Sequence, residues 1–557
     1  VAALAILLAW AAPGFGAEPR LTVVISVDGL PWWRLDEMRP WYVAGLKRLL
    51  DEGQVFSEAN YRHINTETGP GHSALSTGAP PRITGIPANE WAEADGKTLR
   101  VVNCVDQPLP AGPSRGPAHL RVPTLGDRLV ESRPGARVVS LSAKDRSAIL
   151  LAGRRRQHSV YWYDQDSGRF TTSLAYDPPA EAKALVEKFN RTRAGATLPE
   201  RFGLLWKKLP PPIDPPGAPV SRPTPAPDLY SYQIPSNGLG FDHAFTYLPR
   251  GYFASLYVSP ASDELLTDLA LAFLASDDLA LGRRADPDIL ALSFSAHDVV
   301  SHSYGVESDE ELDTLRRLDA QLGRLFAKLQ ERVAKINVAL AFSADHGFPP
   351  IPEAQRALDR SFKGGRLLSS DEWPPSLYTR LNRLLDQRLC LAASARPIAP
   401  GAGWALAYDR PELPLKRQPG SCGEAGAAVG TAEIDAALPD AVATLYAEEV
   451  SEVLLVSQRE SWSPDDPATE FARNDLDLER SGDAFLIPRY GVQLHWDPAR
   501  GSTHGTQYPY DTHVPLIFWG GGFSAGSSPV ASTPYDLAPT LAKRLGLSLP
   551  DAVGTAR

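Results

Sequence analysis

Three carboxylates and three imidazoles, Asp28, Asp298, His302, Asp345, His346 and His504, stand beside short apolar runs of the chain. Such a set can hold two divalent ions with three protein ligands each, keeping one position of each ion open for water or substrate as catalytic zinc sites do. Asp298 and His302 are four apart, so one helical turn puts both on the same side. Asp345 and His346 are adjacent and can serve one ion only where the backbone leaves a strand into a turn, which Gly347 supplies. Cys104, Cys390 and Cys422 lack CxxC spacing, so any ligands are nitrogen and oxygen. That donor set suits zinc and admits manganese or iron. Taken singly, each residue has a plainer reading. An Asp at a strand end caps a helix or a turn, Asp-His-Gly is a common turn, and His504 could be a surface-loop residue. His63, His119, His158, His243, His495 and His513 have no comparable context and read as structural, with His495 and His513 as the substitutes for His504.

Thr68 is the candidate nucleophile. It precedes Gly69-Pro70-Gly71-His72-Ser73 and a short helical run ending at Gly78. A hydroxyl there lies in the field of free helix N–H groups, where a phosphate oxygen binds well. Threonine alkoxide needs a cation or base beside it to form at neutral pH. The alternative is that Thr68 only caps the helix.

The positioning elements follow from hydrophobic patterning. Leu21 to Val27 reads as a fully buried parallel strand ending at Asp28. Tyr42 to Leu50 reads as a helix. Arg137 to Leu141, Ile289 to Phe294, Val338 to Phe342 and Val514 to Trp519 read as further strands. Glu307 to Val333 and Asp536 to Leu545 read as helices. This alternation predicts an α/β fold with a mainly parallel central sheet flanked by helices on both faces, with inserted cap segments. The polar residues fall just after strands, where open α/β sheets bind ligands. Lys207 to Pro227 is proline-rich and reads as an extended segment. The expected organisation is a catalytic core over 18–363 and 502–557, including an insertion over about 143–285, and an inserted subdomain over 364–501.

The chain has 557 residues and a formal net charge of -10, which leaves no basic field for a nucleic-acid backbone. The apolar run from Val1 to Trp10, followed by small residues to Ala17, reads as a signal peptide over 1–17 and points to export, to a periplasm. No other segment is apolar for long enough to anchor the mature chain across a membrane. An exported protein could pair two of the three cysteines; Cys390 and Cys422 are nearer in sequence, and the odd count leaves the pairing open.

Together these motifs resemble the alkaline phosphatase superfamily, and within it the threonine-nucleophile branch of bacterial periplasmic phosphate monoesterases and nucleotide pyrophosphatases/phosphodiesterases. The resemblance rests on VDG at Asp28, TGPGH at Thr68, GIPANEW around Asn89, SAHDVVSH at Asp298 and His302, SADHG at Asp345 and His346, and STHGTQYPYDTHVPLIFWG at His504. They follow the family's order over nearly the whole chain. The resemblance implies an alkaline-phosphatase-like fold and two metal ions, most simply Zn2+. Asp298, His302 and His504 would hold one ion. Asp28, Asp345 and His346 would hold the other, together with the Thr68 oxygen. Asn89 would contact a non-bridging phosphoryl oxygen, and a phosphothreonine would form and be hydrolysed.

The branch divides on what meets the phosphoryl group. A monoester dianion needs cationic donors, whereas a diester needs an apolar slot for its second organic group. The segment Ser142-Ala143-Lys144-Asp145-Arg146 resembles the monoesterase branch's K-D-R segment, so Lys144 and Arg146 are expected on phosphate oxygens, Arg146 as a fork and Lys144 as a point charge. The bland reading of that segment is a solvated charged turn. The expected activity is hydrolysis of small-molecule phosphate monoesters. The rivals are a phosphodiesterase or nucleotide pyrophosphatase and a non-catalytic phosphate-binding module. Thr68 cannot supply a sulfatase's formylglycine.

Overall fold

The computed structural model describes residues 18–94, 99–110, 112–210, 241–245, 249–368, 377–390, 412–413, 415, 420–421, 428–495 and 501–557. The expected signal peptide, Cys422 and residues 211–227 of the proline-rich segment lie outside the described residues.

A nine-stranded sheet organises the molecule. Its strands are β1 (Leu21–Val27), β2 (Gln54–Phe56), β3 (Val138–Ser142), β4 (Ser159–Asp164), β5 (Arg169–Thr171), β6 (Asp288–Phe294), β7 (Val338–Ser343), β8 (Leu516–Gly520) and β9 (Gly526–Ser528). Across the sheet they run in the order β9-β2-β8-β7-β1-β6-β3-β4-β5. The pairings β3–β4, β3–β6, β6–β1, β1–β7 and β2–β9 are parallel. Those of β8 with β7 and with β2, and of β4 with β5, are antiparallel. The sheet is therefore mixed, with a parallel centre.

Every residue of β1 is buried, which is why the sequence reads as a continuous apolar run rather than an alternation. Leu21, Val23, Ile25 and Val27 face a core shared with the helices Gly45–Glu52 (α1), Ala261–Ala275 and Asp309–Arg332. Val24 faces the opposite core, shared with Leu125–Ser132 and Leu537–Arg544. Each such side chain removed from water contributes about 1.5–3 kcal/mol before chain entropy is counted. Helices thus cover both faces, as expected. A separate cluster around Leu381, Leu385, Ile434, Leu438 and Leu486 packs within residues 367–492.

The helix expected from Tyr42 begins instead at Gly45. Its start is set by a distant side chain. The Asp319 carboxylate accepts from Val43 N at 2.8 Å, Ala44 N at 2.9 Å and Leu46 N at 2.7 Å. A cap supplied across the fold leaves no local signature.

Candidate active site

All six predicted ligand residues converge at the carboxyl end of the parallel strands. Asp28 follows β1 directly, and its backbone turns away at Gly29, which has φ +70°. Asp298 and His302 lie one turn apart on α6 (Ala296–Tyr304). Asp345 and His346 follow β7, and His504 lies in the loop that leads to β8. His346 Nε2 is 3.4 Å from Asp28 Oδ1, 3.6 Å from Asp345 Oδ2 and 4.0 Å from Asp298 Oδ1. Asp298 Oδ1 is also 3.4 Å from His302 Nε2 and 3.5 Å from His504 Nε2.

The imidazoles are oriented by one repeated device. His302 Nδ1 lies 2.8 Å from the Ser502 carbonyl, His346 Nδ1 2.8 Å from the Gly347 carbonyl, and His504 Nδ1 2.7 Å from the Thr66 carbonyl. A carbonyl oxygen can only accept, so each Nδ1 carries a proton and each Nε2 is turned to the cluster, where it could serve as a ligand atom. Among the described residues, Asp28 Oδ1, Asp298 Oδ1 and His346 Nε2 are buried and find no hydrogen-bond partner. Orphaned polar atoms of this kind are costly unless a cation satisfies them. The donor set, its orientation and its unsatisfied atoms all fit divalent metal ions.

The grouping differs in one respect from the expected division. Asp298, His302 and His504 form one set, and Asp28, Asp298 and His346 form a second, so Asp298 belongs to both. The Asp345 carboxylate is partly engaged elsewhere. Its Oδ1 accepts from Gly29 N and His346 N, each at 3.1 Å. Its Oδ2 lies 3.0 Å from His72 Nδ1. Of the histidines read as structural, His63 pairs with the Tyr535 hydroxyl at 2.6 Å and His513 with the Ser57 carbonyl at 2.7 Å. Neither His495 nor His513 belongs to the ligand sets.

Charge in the cluster is shared unevenly. Burial and the Asp345 charge raise the Asp28 pKa, against the pull of Lys144. Burial would also raise Asp298, but Lys144 and the surrounding histidines take it well below the usual carboxylate range. Burial lowers His346, but Asp345, Asp28 and Asp298 outweigh it and bring it up to about 10. A divalent ion bound at Nε2 would release that proton.

Thr68 is the first residue of the helix Thr68–Thr77 (α2), and Glu67 occupies the cap position. The capping alternative for Thr68 therefore does not describe its place. The helix start also offers less to an anion than expected. The Gly69 amide is spent on Asn89 Oδ1 at 2.7 Å, Pro70 has no N–H, and the Gly71 amide bonds the Glu67 carbonyl at 3.0 Å. Side chains supply the donors instead. Because Asn89 Oδ1 takes the Gly69 N–H, the Asn89 amide nitrogen is left as a donor. Lys144 Nζ is 2.7 Å from Asp28 Oδ2, 2.5 Å from Asp298 Oδ2 and 3.5 Å from Thr68 Oγ1. Thr68, Asn89, Lys144, Arg146, Asp298, His302 and His504 all line one cavity of about 540 Å³.

Two residues with no assigned role in the sequence enter the site. His72, fully buried, places Nδ1 2.9 Å from the Thr68 carbonyl and Nε2 2.8 Å from Ser293 Oγ. It ties the Thr68 turn to the Asp345 carboxylate. Tyr257 lines the cavity from a helix that carries no motif. His72 was legible within TGPGH as a quoted residue, whereas Tyr257 has no local signal at all.

The alkaline phosphatase PhoK of Sphingomonas is 29% identical to this chain, covering 96% of it and 89% of PhoK. The alkaline phosphatase PafA of Elizabethkingia meningoseptica is 27% identical, covering 96% of this chain and 93% of PafA. A crystal structure of wild-type PafA matches with a TM-score of 0.76 over 98% of both chains at 23% identity, which shows a shared fold. Residues 22–388 match the type I phosphodiesterase/nucleotide pyrophosphatase family, a stretch that holds every predicted site residue except His504. With almost all of its first strand, the helix that begins at Thr68 and five of its six clustered acidic and imidazole groups inside that match, the chain belongs to the type I phosphodiesterase/nucleotide pyrophosphatase family.

Proposed function

We propose that this chain is a phosphate monoester hydrolase of the alkaline phosphatase type, working through a phosphothreonine at Thr68 with two divalent ions, most simply zinc. The observation that carries the reading is the placement of two cationic side chains, Lys144 and Arg146, in the same cavity wall as the Thr68 hydroxyl. A monoester dianion presents more charge on its non-bridging oxygens than a diester, and it gains more from such donors. The relatives named alkaline phosphatase support the same activity.

Asp28, Asp345 and His346 would hold one ion next to Thr68, and Asp298, His302 and His504 the other. Bound there, such ions lower the pKa of a coordinated hydroxyl and neutralise charge on the leaving oxygen. The Thr68 hydroxyl gives up its proton to solvent as Oγ1 attacks phosphorus, the new P–O bond forms as the ester P–O bond breaks, and the departing alkoxide takes a proton from solvent to leave as the alcohol. Asn89 donates through its amide nitrogen, and Lys144 and Arg146 through their cationic heads, to the equatorial oxygens. Water then attacks the phosphothreonine, releasing inorganic phosphate and restoring the hydroxyl.

The apolar 1–17 segment supports export. Cys390 is in a disulfide, which fits an oxidising compartment such as the periplasm, whereas Cys104 is free and buried. The rate ratio between an aryl phosphate monoester and its methyl diester tests the reading, with metal content measured on the same preparation. The monoester should be favoured strongly, and Thr68→Ala should lose most turnover while keeping its metal. A diester preference would move the chain to the diesterase side of its family. Phosphate binding without turnover in the metal-loaded protein would leave only a binding module.

A further inference from the structure

Tyr257 ends the helix Pro249–Tyr257 and stands in the wall of the catalytic cavity with Thr68, Lys144, Arg146 and Asp298. That helix is fixed from behind. Tyr252 OH donates to the Gly203 carbonyl at 2.7 Å, Tyr163 OH donates to the Phe253 carbonyl at 3.1 Å, and Leu256 is buried. The position of Tyr257 is therefore set by packing and not by its own polar group. Tyr257 is half-buried, and some of the buried tyrosines here hold their hydroxyls on backbone carbonyls. Tyr61 donates to Ala344 at 2.9 Å and Tyr176 to Gly153 at 2.9 Å. The Tyr257 hydroxyl has no such acceptor among the described residues. The charges that act on it are Lys144, Asp28, Asp298 and Arg146, the groups around the phosphoryl end of the cavity.

We propose that Tyr257 is a further substrate-binding residue, its hydroxyl donating a hydrogen bond to an oxygen of the bound phosphoryl group alongside Lys144 and Arg146. This rests on the monoesterase reading of the site. It also gives the segment between β5 and β6 a part in recognition. A hydroxyl donor adds directional binding of the phosphoryl oxygens where the two cations supply mainly charge.

Tyr257→Phe removes only the oxygen. Binding of inorganic phosphate, measured by calorimetry on the metal-loaded full chain, should weaken about tenfold in this variant. The kcat/KM for an aryl phosphate monoester should fall by a similar factor, with metal content and melting temperature kept. Should the phenylalanine variant not fold, Tyr257→Leu is read the same way. Wild-type phosphate affinity and wild-type kcat/KM in Tyr257→Phe, with turnover lost in Thr68→Ala, would overturn this role alone. Thr68→Ala at the wild-type rate would instead overturn the phosphothreonine reading, and the phosphate affinity of Tyr257→Phe would still measure the contact without reference to turnover.

Discussion

At the scale of single residues, the position of Lys144 makes the sharpest demand. Its side chain is 13% exposed, and its ammonium lies between Asp28 and Asp298 within reach of Thr68 Oγ1. A charge so placed is pre-organised for charge that builds on a phosphoryl group, and electrostatic terms of that kind dominate phosphoryl transfer. Lys144→Ala is expected to lower monoester kcat/KM by about 10²–10³-fold. The diester, with less charge on its non-bridging oxygens, should lose less, so the monoester-to-diester ratio should fall. Equal losses on both substrates would mean that Lys144 only neutralises the two carboxylates. Lys144→Arg should not rescue, because a planar fork does not fit where a compact ammonium sits between two carboxylates. The K-D-R segment was legible in the sequence as a cationic pair. Its contacts with Asp28 and Asp298 were not, because each pair is made across the sheet by residues far apart in the chain.

At the scale of elements, the helix α2, which begins at Thr68, is pressed against the end of β7. A Cβ on Gly71 would lie 2.1 Å from the Asp345 carbonyl oxygen and 2.6 Å from its carbon, so backbone would have to move. Gly71→Ala should therefore destabilise by about 3 kcal/mol, at the upper end for overpacking, and lower activity as well because it displaces Thr68 and Asp345 together. Thermal unfolding and kcat/KM read both effects, and an unshifted melting temperature would contradict the close approach. The helix α6, which carries Asp298 and His302, is held by Asp263, whose Oδ1 accepts from Ser295 N at 3.0 Å and Ala296 N at 3.2 Å. Burial raises the Asp263 carboxyl to about 7 in spite of these bonds, from an ordinary 3.8. The folded state then holds a proton that the unfolded chain has already released, so this group costs stability progressively as pH rises from about 4 to about 7. Asp263→Asn keeps the acceptor oxygen and removes the titration. Its melting temperature relative to wild type should climb across that window and level off above it. A constant difference from pH 4 to 8 would show that the carboxyl titrates normally. The glycine of TGPGH and the strand ends were readable from sequence. The Asp263 contact was not, since an Asp in the first turn of a helix reads as an ordinary acidic helix start and its partners lie about 30 residues away.

At the scale of the whole molecule, the sequence revealed the architecture where patterning is continuous and lost it where partners are remote. The buried strand before Asp28, the α6 ligand pair and the turn at Asp345-His346 follow from run length and i,i+4 spacing. The antiparallel entry of β8, the cap on α1 from Asp319 and the sharing of Asp298 between both ligand sets depend on how distant segments meet. The same geometry makes the clustered groups a cross-link. They come from the end of β1, from α6, from the turn after β7 and from the loop before β8, so cations held there would join segments from Asp28 to His504. Ions that bind the folded chain alone stabilise it by about 4 kcal/mol per site at a thousandfold excess over Kd. With an unfolding entropy of about 2.1 cal/mol/K per residue, each kcal/mol corresponds to roughly a degree in a chain of this length. Removing metal with a chelator should thus lower Tm by on the order of 5–10 °C and abolish turnover, and restoring a divalent ion should recover both. The Asp298→Ala variant should lose a larger part of that metal-dependent shift than His302→Ala, because the Asp298 carboxylate, besides holding its own ion, borders the second group of donors. A chelated protein that melts at its original temperature, or equal effects from the two substitutions, would separate the cluster's role in chemistry from any role in holding the sheet's ligand-bearing end together.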